Sequence, residues 1–308
     1  MRKADDSSLD PEQLRAVEER ARSLLNRADA WGRYPTPIED ILAAAKIKVA
    51  PKSIFDLQAV AEYLRNKAAK AAHNLKSAIS KVLGLYDPQD VLIHIDNTVT
   101  KSKQTFLTLH ETGHHEIPAH KKTFKLFEDC NDTLSPEISD LFEREANNFA
   151  RFALFQGDAF ASYACDLPLD LKSPRILAGK FGASQYAAAR EFARTNHRSC
   201  VVYVLNPVEY VQGDGFRAAV RRIEPSPSFR QTFGLPRCTV ITPDHFLGPV
   251  VPLYKKRMSA PRSVTITDLN GTRHDCVAEA FNTTHNIIIL LFPTAALTAK
   301  IVLISAAG

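Results

Sequence analysis

The sequence predicts an α+β fold, a helical first part carrying one small β-hairpin and a β-rich final third. Three observations predict it. Apolar residues recur at helical spacing through most of the first 195 residues, two short runs between 82 and 96 switch to a strand-like pattern, and past residue 198 the apolar residues fall in short runs divided by turn formers. The 308 residues are 45% hydrophobic and 24% charged, which excludes disorder as the default and allows one large domain or two to three small ones.

The elements follow in order. Residues 9–32, LDPEQLRAVEERARSLLNRADAWG, place Asp10 as a cap and Pro11 at the first helical position, then repeat Leu14, Val17, Ala21, Leu24, Leu25 and Ala28, with Gly32 as the stop. TPIEDILAAAKI starts a second helix, and residues 56–82 read as a third and a fourth. VLGLYD and VLIHID, joined across Asp87–Asp90, form a hairpin. KQTFLTLHETGHHEI is the next helix, stopped by Pro118, and PEISDLFEREANNFARFALF, 136–155, is another that opens on Pro136. Two short helices flank Gly182. Strands then follow at SCVVYVLN, RAAVRRIE, SVTITD, DCVAEAF, IIILLF and KIVLIS, with Asn270-Gly271 as a hairpin turn.

This divides the chain into residues 1–160, a helical segment over 161–197, and a β-rich part over 198–308. The apolar stretch 286–305 is split by Pro293 and Lys300 into two strand-length runs, so it is read as two buried strands; a membrane helix needs about 20 continuous apolar residues. The amino end lacks the apolar core of a secretory signal. Five cysteines, Cys130, Cys165, Cys200, Cys238 and Cys276, are scattered with no CxxC pair, which argues against a disulfide framework and for a reducing cytoplasm.

Net charge is +5, unevenly spread. Lys172, Arg175, Lys180, Arg190, Arg194 and Arg198 face only Glu191 in their stretch, and Arg65, Lys67, Lys70, Lys76 and Lys81 form an acid-free run. Residues 126–145 are acidic. Such polarity means either solvated faces or a charged partner.

The chemistry concentrates in HETGHHEIPAH, residues 110–120. On a helix His110 and His114 share a face one turn apart, close enough to share an ion, and Glu111 stands beside them without being a ligand. Burying such groups costs several kcal/mol unless something offsets it; metal coordination is one way, and hydrogen bonds from core histidines to carbonyls are the alternative. A catalytic zinc needs a third ligand. His120 has the offset of the third histidine in HExxHxxGxxH, but Ile117 occupies the place of that pattern's glycine, where a β-branched residue resists φ > 0. The other candidate is Glu143. It shares a helix face with Ala146, Asn147 and Ala150, whose small side chains allow close approach, whereas Glu145 lies about 200° round the helix.

LHETGHHEI followed by FEREANNFA resembles the ImmA/IrrE family of bacterial metallopeptidases, whose signature is HExGH with a later ExxAxxFA. The likeness covers roughly residues 80–156, and about 195 with the helix-turn-helix that follows in the family. It implies zinc held by His110, His114 and Glu143, Glu111 as the catalytic base, and a protein substrate, with a helix-turn-helix repressor in stress or mobile-element control as the candidate. The chain departs from the family at FARFALFQGD, where FAxxLLMP is usual. In such peptidases zinc brings the pKa of water to about 7 and Glu111 moves its proton to the leaving amine. VLIHI is either the edge on which substrate lies or an internal strand. Tyr86, His94, His115 and His120 are all candidates for the transition-state donor.

RILAGKFGASQYAAAREF, 175–192, fits a helix-turn-helix, with Lys180, Arg190 and Arg194 available to DNA phosphates, and equally fits a helical hairpin packed on a core. Two functions from different classes follow: a zinc endopeptidase, or a DNA- or protein-binding regulator with a structural metal site. A toxin partner in a paired operon is a third. An intact Glu111 favours the first.

Overall fold

A computed structural model describes residues 8–50, 84–87, 91–96, 98–120, 123, 136–213 and 215–296, with the backbone alone at 84–87. The helices expected over 56–82, the basic run from Arg65 to Lys81, the turn at 88–90, the acidic connection before 136 and the strand KIVLIS lie outside the described residues. The fold is α+β, as the sequence predicts. Two compact units divide the chain: Met1–Ala159 with Gly179–Ser184, and Phe160–Ala178 with Gln185–Gly308. The segment expected as a separate helical piece is thus shared between them.

In the first unit, α1 spans Pro11–Arg27. Asp10 accepts hydrogen bonds from the Glu12 and Gln13 amides at 3.0 and 2.9 Å, and Gln13 accepts from the Asp10 amide, a reciprocal cap of the kind that contributes about 1 kcal/mol. The helix stops before Gly32. Asp29 takes φ 46° and Ala30 donates to the Leu25 carbonyl at 3.0 Å, so an aspartate in the left-handed region ends it. Helix α2 follows at Ile38–Ala45.

Strands β1 (Lys48–Val49), β2 (Gly84–Asp87) and β3 (Leu92–Ile95) form a small sheet in the order β1-β3-β2. The hairpin is present, with Gly84 opposite Ile95. β1 pairs parallel to β3 on its other side, so VLIHI is the internal strand. Among the described residues, β2 is an edge.

Helices α3 (Lys101–Glu116) and α4 (Pro136–Phe155) pack against each other. Gly113 permits the approach, since a Cβ there would stand 3.1 Å from the Phe149 ring. Ala146, Phe149, Ala150 and Ala153 of α4 are buried. Ile117, the residue before Pro118, is extended at φ −85° and ψ 111°, as steric conflict with a following proline demands. Helical backbone resumes at 118–120, so Pro118 bends the chain between two helical stretches. Arg27 clamps the end of α3 through two 2.8 Å bonds to Glu116.

The second unit holds α5 (Ala159–Cys165, from its second residue), most of α6 (Lys172–Phe181), and α7 (Gln185–Thr195). Strands β4 (Val201–Leu205), β5 (Glu209–Val211), β6 (Gly215–Pro225), β8 (Arg262–Thr267), β9 (Arg273–Asn282) and β10 (Ile287–Pro293) order as β5-β6-β4-β10-β9-β8, with β7 (Val240–Ile241) paired to β6. All neighbouring pairs are antiparallel. β4 and β10 are central and buried throughout, which is why each reads as a continuous apolar run. Val201, Tyr203, Leu205, Ile287, Ile289 and Leu291 join one core with Phe229 of a short helix, α8 (Pro227–Phe233). Helix α7 packs on β4 and β6 through Ala188, Ala189, Phe192 and Ala193. No helix among the described residues is long and apolar enough to cross a membrane.

Candidate metal centre

His110 and His114 lie on the buried face of α3, and Glu143 reaches them from the facing side of α4. The two Nε2 atoms are 3.2 Å apart. Glu143 Oε2 is 3.5 Å from His110 Nε2, and its Oε1 is 3.7 Å from His114 Nε2. All three donors fall within 4.8 Å of one another, so the group can hold a metal ion. The imidazoles are buried while the Glu143 side chain is 44% exposed, which leaves the trio open on the carboxylate side. Arg144, the neighbour that competes for Glu143 in a simple surface ion pair, is held by Asp140 at 3.2 Å and by the Ser8 carbonyl.

The surroundings hold these candidate side chains in place. Asn147, one turn beyond Glu143, places Oδ1 3.1 Å from His110 Nδ1. His114 Nδ1 faces His120 Nδ1 at 3.1 Å, and His120 Nε2 lies 2.7 Å from Glu145 Oε2. His120 is fully buried and stacked on Phe142, with ring centroids 4.0 Å apart. Glu145 does face away from Glu143, as helix geometry requires, and the direction it faces is that of His120. Sequence spacing gave no sign of this pairing. Asn147 was legible as a member of the Glu143 face, though not as the partner of His110.

Burial opposes protonation of His110, but the Glu143 hydrogen bond and the charges of Glu111 and Glu143, with help from Asn147, outweigh it and raise its pKa. For His114 burial dominates and His110 reinforces it, holding its pKa well below the ordinary value. The two histidines are therefore inequivalent. Glu111 is buried in the same turn of α3. Of the candidate transition-state donors, His94 is buried on β3, His115 is half-buried on α3, His120 is committed to His114 and Glu145, and the Tyr86 side chain lies outside the described residues.

The basic helix-turn-helix candidates sit in a different setting. Arg190 and Arg194 donate to Glu224 at 3.1 and 2.9 Å, and Arg194 also reaches Glu191 at 3.3 Å. Arg222 adds a third guanidinium at 3.6 Å. Burial raises the Glu224 pKa, but Arg194 first, then Arg190 and Arg222, overcome it and leave the value lowered. Lys180 lies 4.9 Å over the Tyr34 ring.

No family profile and no curated protein sequence matches the chain. Its fold is similar to a solved structure described as a Mycobacterium tuberculosis transcriptional regulator, with a TM-score of 0.52 at 11% identity, covering 95% of this chain and 92% of that one.

Proposed function

We propose that this chain is a zinc-dependent metallo-endopeptidase of the ImmA/IrrE type, cutting a protein substrate. The observation that carries the reading is the convergence of His110, His114 and Glu143, with Glu111 buried in the same helical turn. The donor set fits zinc: two imidazole nitrogens and one carboxylate oxygen, drawn together on two helices and open on one side, match a three-ligand catalytic site. A bound zinc would supply Lewis-acid polarisation of a carbonyl and activation of a water. Glu111 accepts the proton of that water and delivers it to the leaving amine. Asn147 orients His110, and the exposed side of Glu143 admits the scissile segment. Because β3 is internal, an extended substrate pairs with β2, which is an edge among the described residues.

The substrate class is a transcriptional repressor, as the resemblance implies, and the scattered cysteines point to action in the cytoplasm. Metal analysis of the purified protein, followed by incubation with the product of an adjacent repressor gene, tests the reading: one zinc per chain and chelator-sensitive cleavage support it, and repressor left intact by the zinc-loaded protein refutes it.

The second reading is a DNA- or protein-binding regulator with a structural metal site. The description of the similar fold as a transcriptional regulator favours it. Against a DNA-reading α7 stand the Glu224 contacts that occupy Arg190 and Arg194.

A further inference from the structure

The hydrogen bonds behind His114 take one direction when His120 is neutral. Glu145 is a carboxylate and only accepts, so His120 donates to it through Nε2–H. A neutral His120 then carries a lone pair on Nδ1, and the proton between the two rings belongs to His114 Nδ1. His114 is left with its lone pair on Nε2, the atom 3.2 Å from His110 Nε2 and 3.7 Å from Glu143. The arrangement is closely packed. His120 is fully buried against Phe142, the Glu145 side chain is 14% exposed, and α4 carries Glu143 and Glu145 on opposite sides of one turn.

We propose that His120 and Glu145 are a positioning pair that fixes His114 in its Nδ1–H tautomer and so presents the Nε2 lone pair to a divalent cation shared with His110 and Glu143. The proposal rests on the metal-site reading above. Neither residue touches the cation; both act through His114. Without Glu145, His120 can reverse its tautomer and His114 loses its fixed orientation. Partners of this kind typically govern 10–100-fold in metal affinity.

The test uses the full chain as wild type, Glu145→Ala and Glu145→Gln. Zinc affinity is measured by competition with a chromophoric chelator, and the ring nitrogen shifts of neutral His114 are read by NMR in metal-free protein. Glu145→Ala should bind zinc roughly 10–100-fold more weakly with an unchanged circular dichroism spectrum, and Glu145→Gln, which keeps an acceptor oxygen, should recover most of the loss. His114 should show Nδ1–H in the wild type and a mixture in Glu145→Ala. Wild-type affinity in a folded Glu145→Ala, a second zinc bound between His114 and His120, or an Nε2–H tautomer in the wild type would overturn the proposal. If the alanine variant does not fold, the Gln variant and the wild-type shifts decide. A wild type that binds no zinc sinks the metal-site reading instead, and the nitrogen shifts then judge the pair on their own: Nδ1–H supports it, Nε2–H ends it.

Discussion

Glu224→Gln isolates the ion network that distinguishes a structural α7 from a DNA-reading one. The carboxylate is mostly buried and bonded to Arg190 and Arg194, with Arg222 nearby, and their side chains are 12 to 25% exposed. Removing one partner of a fully buried pair costs about 3–5 kcal/mol; the partial exposure here discounts that to roughly 2–3 kcal/mol. The sign in pH follows from the lowered Glu224 pKa. A carboxylate whose folded value is depressed stabilises above its unfolded value, near 4.5, and the contribution disappears as pH falls through the folded value. Urea unfolding followed by far-UV circular dichroism should therefore show the full deficit at pH 7 and a shrinking one below about pH 4.5. A variant as stable as wild type at pH 7, or a deficit independent of pH, would refute the stabilising role of the network and reopen Arg190 and Arg194 as phosphate contacts.

Other outcomes can be checked alongside it. Glu143→Ala should lose zinc far more completely than His120→Ala in chelator competition, and the reverse order would make His120 the third ligand. Gly113→Ala places a methyl 3.1 Å from the Phe149 ring, so α4 must move; overpacking of about 1–3 kcal/mol should outweigh the helix-propensity gain of about 1 kcal/mol, with zinc affinity falling too, and a stabilised variant with intact zinc binding would show that α4 yields freely. Thiol labelling of native protein at pH 8 with mass-spectrometric mapping should modify exposed Cys165 and spare Cys200 and Cys276, whose thiols burial pushes up to about 12 and about 11. Rapid modification of Cys200 would contradict its full burial just ahead of the central strand β4.

What the sequence revealed followed from local signals. The Asp10-Pro11 start of α1, the Pro136 start of α4 and the Asn270-Gly271 turn are written in single residues whose backbone preferences decide the outcome. The helical spacing of His110 and His114 and of Glu143, Ala146 and Ala150 sufficed to bring the trio together, because 3.6 residues per turn converts spacing into a face. Misses arose where a distant partner decides. β1 has two residues and no period, and only its pairing with β3 makes it a strand and makes β3 internal. Helix α8 lies between prolines and has too few residues for a period, yet Ser226 followed by Pro227 is a capping signal, and the Ser226 side chain does accept from the Phe229 amide. Asp29 ended α1 ahead of Gly32 because an aspartate tolerates the left-handed region. The roles of His120 and Arg190 depend on Glu145 and Glu224, residues 25 and 34 positions away, and no periodicity links them.

The proposed function has His110, His114 and Glu143 hold zinc for peptide-bond cleavage with Glu111 as the base. Its most direct measurement compares wild type and Glu111→Gln for bound zinc and for cleavage of the product of any adjacent repressor gene in one preparation. The account predicts one zinc per chain in both and cleavage by the wild type alone. Equal cleavage by Glu111→Gln would contradict it.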